Sequence, residues 1–206
     1  EPFMEMLSAK IKVVPNGIAV SPGSSKAGDY VLYVGRLIEN KGVADLLHAV
    51  RGQALVRTVV VGDGPDRVRL EGIAKGADVE FVGMVEPEDV AFYLKDALVL
   101  VLPSRLGDGL PNVILEAMAH GVPVIATRSA GIPDIVCDGR TGLLFDPGDV
   151  DALRSAIERL AADSGLHSAI SQNTLQFIKQ FAWPTVVPQV EAMLQFARTR
   201  GKAGPA

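Results

Sequence analysis

The stretch Ala97-Leu98-Val99-Leu100-Val101-Leu102-Pro103-Ser104-Arg105-Leu106-Gly107-Asp108-Gly109-Leu110-Pro111-Asn112-Val113-Ile114-Leu115-Glu116-Ala117-Met118 decides the fold. Ala97 to Leu102 is apolar without alternation, the pattern of a strand buried on both faces, as strands are in parallel sheets. A loop bearing Gly and Pro follows. The apolar residues then fall at helical spacing, and Gly121 is suited to stop the helix. Strand, loop and helix in that order form the unit from which α/β domains are built.

The same unit recurs on both sides of this stretch. Short runs rich in Val, Leu and Ile stand at Tyr30-Val34, Ala54-Val61, Val79-Val82, Val122-Ala126 and Leu143-Phe145. Between them the spacing predicts helices over 42–51, 65–75, 87–95, 112–120 and 149–163, with Pro65 and Pro87 suited to a first turn. The expected fold is a Rossmann-like, doubly wound parallel sheet with flanking helices. Ligands in such sheets bind outside the carboxyl ends of the strands, so the residues after each apolar run are the ones to read for chemistry.

Composition narrows the class. The chain has 206 residues, long enough for one substantial core, and 48% of them are hydrophobic. Its 24 acidic and 20 basic residues give a net charge of -4, with no long block of one sign, so the global field repels nucleic acid. The single cysteine, Cys137, cannot form an internal disulfide and reads as a small buried residue in a reducing compartment. No run is long enough to span a bilayer, and Glu1-Pro2-Phe3 resembles a cut within a longer protein more than a signal peptide. The stripe Trp183, Val187, Val190, Leu194 and Ala197 predicts one amphipathic terminal helix over 183–200, followed by a disordered tail over 201–206.

Four loops carry candidate chemistry. In Gly35-Arg36-Leu37-Ile38-Glu39-Asn40-Lys41-Gly42, a guanidinium and an ammonium lie five residues apart at the ligand end of a strand, where they could clamp a pyrophosphate. Gly35 permits close backbone approach. Val61-Gly62-Asp63-Gly64-Pro65 begins like a dinucleotide fingerprint, but Arg67 stands where the third glycine belongs, so a tight turn is the better reading than nicotinamide binding. Asp108 and Glu116 are eight residues apart, in a loop and about one turn into the following helix, so both carboxylates can face one crevice and accept hydrogen bonds from sugar hydroxyls. The helix start beside them suits anionic oxygens. In Thr127-Arg128-Ser129-Ala130-Gly131-Ile132-Pro133-Asp134, small residues leave room for a ligand, and Asp134 reads as the cap of a short turn.

Two signals point away from metal chemistry. Asp149-Val150-Asp151 has a two-aspartate spacing, but it precedes a helical run and reads as a cap. His48, His120 and His167 are scattered, with no ligand spacing around them. No metal and no cofactor is expected.

Taken in order, these motifs resemble the C-terminal domain of retaining glycosyltransferases of the twin-Rossmann GT-B architecture, in the bacterial group 1 class. The resemblance covers about residues 12 to 200. Val14-Pro15-Asn16-Gly17 is similar to the family's lead-in to this domain, Asp108 through Glu116 to its Glu-x7-Glu signature, and Gly139-Arg140-Thr141-Gly142-Leu143-Leu144 to its closing strand. The first acidic position departs from the family pattern, being Asp108 rather than Glu, one methylene shorter at the contact that reads the sugar.

The resemblance implies that Arg36 and Lys41 bind the donor pyrophosphate and neutralise the departing nucleoside diphosphate. It implies that Glu116 binds the ribose hydroxyls, that Asp108, Gly109, Leu110 and Pro111 position the sugar, and that the backbone at Gly83 and Met84 meets the base. The substrate would be a UDP-, GDP- or ADP-linked sugar. The acceptor site would lie on an N-terminal Rossmann domain, so this chain is expected to bind donor without transferring sugar. The implied location is cytoplasmic, with any contact to the inner membrane face made by that other half. The terminal helix, without its partner domain, is a candidate for self-association. Two competing readings are a non-catalytic module for nucleotides or sugar phosphates, and an enzyme like the UDP-N-acetylglucosamine epimerases.

Overall fold

The computed structural model describes residues 15–20, 27–52, 56–105 and 111–201. They form a parallel sheet of six strands, β1 (Tyr30–Val34), β2 (Arg57–Val61), β3 (Val79–Gly83), β4 (Ala97–Leu102), β5 (Val124–Thr127) and β6 (Gly142–Phe145). Their order is β3-β2-β1-β4-β5-β6, every pair parallel. The strand order therefore reverses between β1 and β4, and this reversal opens the crevice in which doubly wound sheets hold ligands.

The helices are α1 (Val43–Val50), α2 (Arg67–Ala74), α3 (Val90–Lys95), α4 (Asn112–Ala119), α5 (Val150–Ala162), α6 (Ser164–Phe177) and α7 (Trp183–Gly201). Right-handed crossovers dictate their placement. The connections from β1 to β2 and from β2 to β3 run one way along the sheet, so α1 and α2 lie on one face, where α5 packs against α1. The connections from β3 to β4 and from β4 to β5 run the other way, which puts α3 and α4 on the opposite face with α6. Leu32, Val60, Val99, Leu100, Val101, Val124 and Ile125 are sealed between the two layers. At about 25 cal/mol per Å² of apolar surface, such burial is the main force holding the sheet together.

The expected strands are all present, the start of the second falling outside the described residues. Gly121 stops α4 as expected, in the left-handed conformation at φ 74°. Asp149 caps α5 by accepting a 2.9 Å hydrogen bond from the Ala152 amide. Other expectations need correction. Residues 65 and 66 form a turn, so the second helix starts only at Arg67. A whole helix, α6, was not set apart by the sequence reading. Cys137 is half-buried rather than buried. Asp134 closes the short 3-10 turn Ile132–Asp134 without capping it, and its side chain is exposed.

The terminal helix forms over Trp183–Gly201, and its stripe stays largely unpacked, as expected of a face without a partner. Val186 is the buried residue, while Trp183, Val187, Leu194 and Phe196 are exposed. The helix is anchored at its first turns instead. The Ile18 amide donates to Phe181 and the Trp183 amide donates to Ile18, while Gly17 lies flat on the Trp183 indole, where a methyl group would be 2.2 Å from a ring carbon. Residues 202–206, expected as a tail, lie outside the described residues. Among the described residues no helix is long and apolar enough to cross a membrane.

Candidate functional site

The crevice is built first from backbone. The Gly35 amide donates to Val61 O at 3.0 Å, the Leu37 amide to Asp63 O at 2.9 Å, and the Gly62 amide to Gly83 O at 2.7 Å. The turns after β1, β2 and β3 are thus laced into one carboxyl edge. Gly62 holds a left-handed φ of 130°, and a methyl group there would sit 1.9 Å from Gly35 O. This turn after β2 is a packing device, as the arginine in place of a third glycine suggests. Arg67 opens α2 and pairs with Asp63 at 3.2 Å and Glu71 at 2.8 Å.

Gly35 and Arg36 follow β1 directly. The hydroxyl of the buried Tyr33 donates to Arg36 O at 3.0 Å and fixes that turn from beneath. The Arg36 side chain is exposed, with no hydrogen-bond or ion-pair partner among the described residues. Lys41 ends the 3-10 turn Glu39–Lys41, and Gly42 then takes φ 66° as the first cap of α1. Gly42 is packed against the end of β4, so that a methyl group would lie 2.0 Å from Pro103 O. The Arg105 amide donates to Asn40 O at 2.8 Å, and its guanidinium grips both oxygens of the buried Asp45, at 2.9 and 2.5 Å. Arg36 and Lys41 therefore stand at the switch point between β1 and β4.

The helix that follows β4 begins at the same edge. Pro111 precedes its first residue, and among the described residues no side chain caps its amides, the kind of helix start that suits an anion. Glu116 lies one turn in, among the buried Ile114, Leu115, Ala117 and Met118. It is half-buried, and its carboxylate has no hydrogen-bond partner among the described residues. Burial pushes its pKa above the usual carboxylate range, while His120, one turn on, pulls it down. The Asn16 amide nitrogen donates to Asn112 Oδ1 at 3.1 Å, so the lead-in segment also reaches this helix start. Asp108, Gly109 and Leu110 lie outside the described residues.

Three strands away from β4, Gly83 ends β3 with φ 92°, and Met84 projects beyond it, 82% exposed. These two stand at the far end of the same edge. After β5, Thr127 Oγ1 donates to Ser104 O at 2.7 Å and joins that loop to the end of β4. Ala130 there has φ 47°, a left-handed conformation that costs a non-glycine residue about 1 kcal/mol. Among the described residues no group of three or more His, Cys, Asp or Glu side chains converges as a metal site. The sequence reading did not assign a role to Arg105 or Asp45.

The family model for glycosyl transferases group 1 matches residues 28–163. The chain is 30% identical over 163 residues to the sulfoquinovosyl transferase SQD2 of Arabidopsis thaliana, covering 78% of this chain and 32% of that protein. Sucrose-phosphate synthase from Thermosynechococcus elongatus superposes with a TM-score of 0.81 at 29% identity, over 99% of this chain and 58% of that one. Anabaena Alr3699/HepE, solved in complex with UDP, superposes with a TM-score of 0.77 at 23% identity, over 89% of this chain and 57% of that one. The chain thus spans well under two thirds of each of these proteins. With its sheet, its carboxyl-edge site and the extent of the match, the chain belongs to the glycosyl transferases group 1 family.

Proposed function

We propose that this chain holds the nucleoside-diphosphate end of an activated sugar and serves as the donor-binding half of a retaining, metal-independent glycosyltransferase. The observation that carries this reading is the meeting of opposite chemistries at the switch point. Arg36 and Lys41 stand there on the turn after β1, at the same edge as a helix start without a side-chain cap and a half-buried Glu116 without a hydrogen-bond partner, both among the described residues. A diphosphate would take the cations and the helix amides. Ribose hydroxyls would give Glu116 the hydrogen-bond donors that the described residues do not supply.

In this reading Arg36 and Lys41 act electrostatically. Negative charge develops on the β-phosphate as the bond to the sugar breaks, and cations placed there in advance stabilise the transition state more than the ground state. No divalent metal is needed for that step. Gly83 and Met84 would face the base, and Asp108, Gly109, Leu110 and Pro111 the sugar. Retention of configuration follows from the family resemblance. Transfer also needs an acceptor held against the donor in a closed cleft. We therefore assign the acceptor to the additional length that the relatives possess, and expect this chain alone to bind donor and transfer nothing.

A thermal-shift titration with UDP, GDP and ADP tests the reading, with UDP first because the Anabaena neighbour was solved with it. A nucleotide at ten times its Kd stabilises by about 1.4 kcal/mol and moves the midpoint by roughly 3–5 °C. The shift should vanish in Arg36→Ala. No shift with any of the three nucleotides would reject donor binding by this chain, and sugar transfer by the purified chain would reject the division of labour.

A further inference from the structure

The buried Asp45 is the feature that donor binding leaves unexplained. Helix α1 is fastened to the sheet by Val43, Leu46 and Leu47, all buried, and a carboxylate adds nothing to that packing. Burying a charge is costly unless it is paired and hydrogen-bonded. Asp45 is 2% exposed, and its one described side-chain partner is Arg105, which meets it with Nε at 2.9 Å and Nη2 at 2.5 Å. This planar two-point contact fixes orientation as well as distance.

We propose that Asp45 and Arg105 are positioning residues for the turn that carries Lys41, and that they set its place against the donor diphosphate. The proposal rests on the donor-binding reading above. Lys41 sits between two residues tied to the end of β4, Asn40 by its carbonyl to the Arg105 amide and Gly42 by its contact with Pro103 O. The ion pair is the side-chain bond that closes this joint, and it spans the switch point between the β1 and β4 crossovers. Lysine is a flexible point charge, so its value to a phosphate depends on where its backbone is held. Loosening the joint should therefore weaken the contact with the second phosphate and spare the nucleoside.

Calorimetric titration of the chain with the monophosphate and diphosphate of each nucleoside, UMP with UDP, GMP with GDP and AMP with ADP, separates these effects. The wild-type chain should favour the diphosphate. In Asp45→Asn and in Arg105→Gln that preference should fall by about tenfold, while monophosphate affinity stays within about twofold. General loosening of the fold would weaken both ligands alike. Arg105→Lys keeps the charge but loses the planar grip, so it should fall between wild type and Arg105→Gln. It also carries the test if the neutral variants do not fold, as judged by a single cooperative melt. In a Lys41→Ala background the same substitutions should have no further effect on the preference.

Cooperatively folded variants that keep the full diphosphate preference would overturn the proposal alone. A further loss in the Lys41→Ala background would also overturn it, and would mean that Arg105 touches the phosphate directly. A wild-type chain that binds none of the six nucleotides would overturn the donor-binding reading, and this proposal with it.

Discussion

The Gly62 backbone lies directly against the Gly35 carbonyl, leaving no room for a side chain between the turns after β1 and β2. The contact joins the turn that bears Arg36 to its neighbour, and Gly62 must also hold φ 130° to make it. Gly62→Ala adds backbone strain to a clash of 1.9 Å with an atom that belongs to the site. We expect a loss of about 3 kcal/mol. In a domain this size that is roughly 6–12 °C in the melting midpoint. Because the displaced atom lies beside Arg36, nucleotide affinity should fall with stability. Calorimetric melting and titration of the variant check both, and a stable variant that binds normally would refute the account of this contact.

His167 is held by a fault in the sheet rather than by the site. The β1–β4 register pairs Tyr30 with Ala97 and Val31 with Val99, so Leu98 is an extra residue in the ladder. The imidazole of His167, 3% exposed, lies with Nε2 2.9 Å from Leu98 O. The carbonyl can only accept, so Nε2 carries the hydrogen. His167→Leu should cost about 1–3 kcal/mol by leaving that buried carbonyl without its donor. His167→Gln, which retains an N–H, should cost less. Leu98 is near the amino end of β4, away from the crevice, so nucleotide binding should not change in either variant. Urea unfolding with nucleotide titration reads both effects.

The same histidine shows where sequence reading stops. The strands were legible because parallel strands are apolar on both faces, and Ala97 to Leu102 allows no other reading. The turns that bear Arg36 and Lys41 were legible because a sheet of this kind places ligands after its strands. Helix α6 was not, because its buried face is His167, Ile170, Ser171 and Thr174. Three of these four are polar and write no hydrophobic stripe. His167 and Thr174 are buried because they serve backbone carbonyls of other elements, as when Thr174 Oγ1 donates to Thr141 O at 3.0 Å. The terminal helix is the opposite case, a stripe clear in sequence that forms a helix yet leaves only Val186 of its described side chains buried, the unpartnered face expected of it. The Asp45–Arg105 pair joins residues 60 positions apart, and local spacing carries no trace of it.

Glu116 gives the sharpest separation of function from stability. Its carboxylate is half-buried, and burial raises its pKa above that of the unfolded chain, with His120 drawing it down. The sign follows from linkage. A carboxyl whose pKa is raised by folding contributes most below its unfolded pKa, and that contribution is lost as pH rises through the folded value. At neutral pH the ionised side chain therefore opposes folding. Glu116→Gln removes the charge and keeps the shape, so the free variant should melt at or above the wild-type temperature at pH 7. The difference should close as pH falls through the carboxylate range, where wild-type Glu116 also becomes neutral. With nucleotide present the order should reverse, because an amide oxygen accepts more weakly than a carboxylate and should lose about 1–2 kcal/mol of binding to ribose hydroxyls. Melting curves with and without UDP at pH 7 and near pH 4 measure all four terms. A variant less stable than wild type at neutral pH, yet binding nucleotide equally well, would make Glu116 a structural residue and remove it from the site.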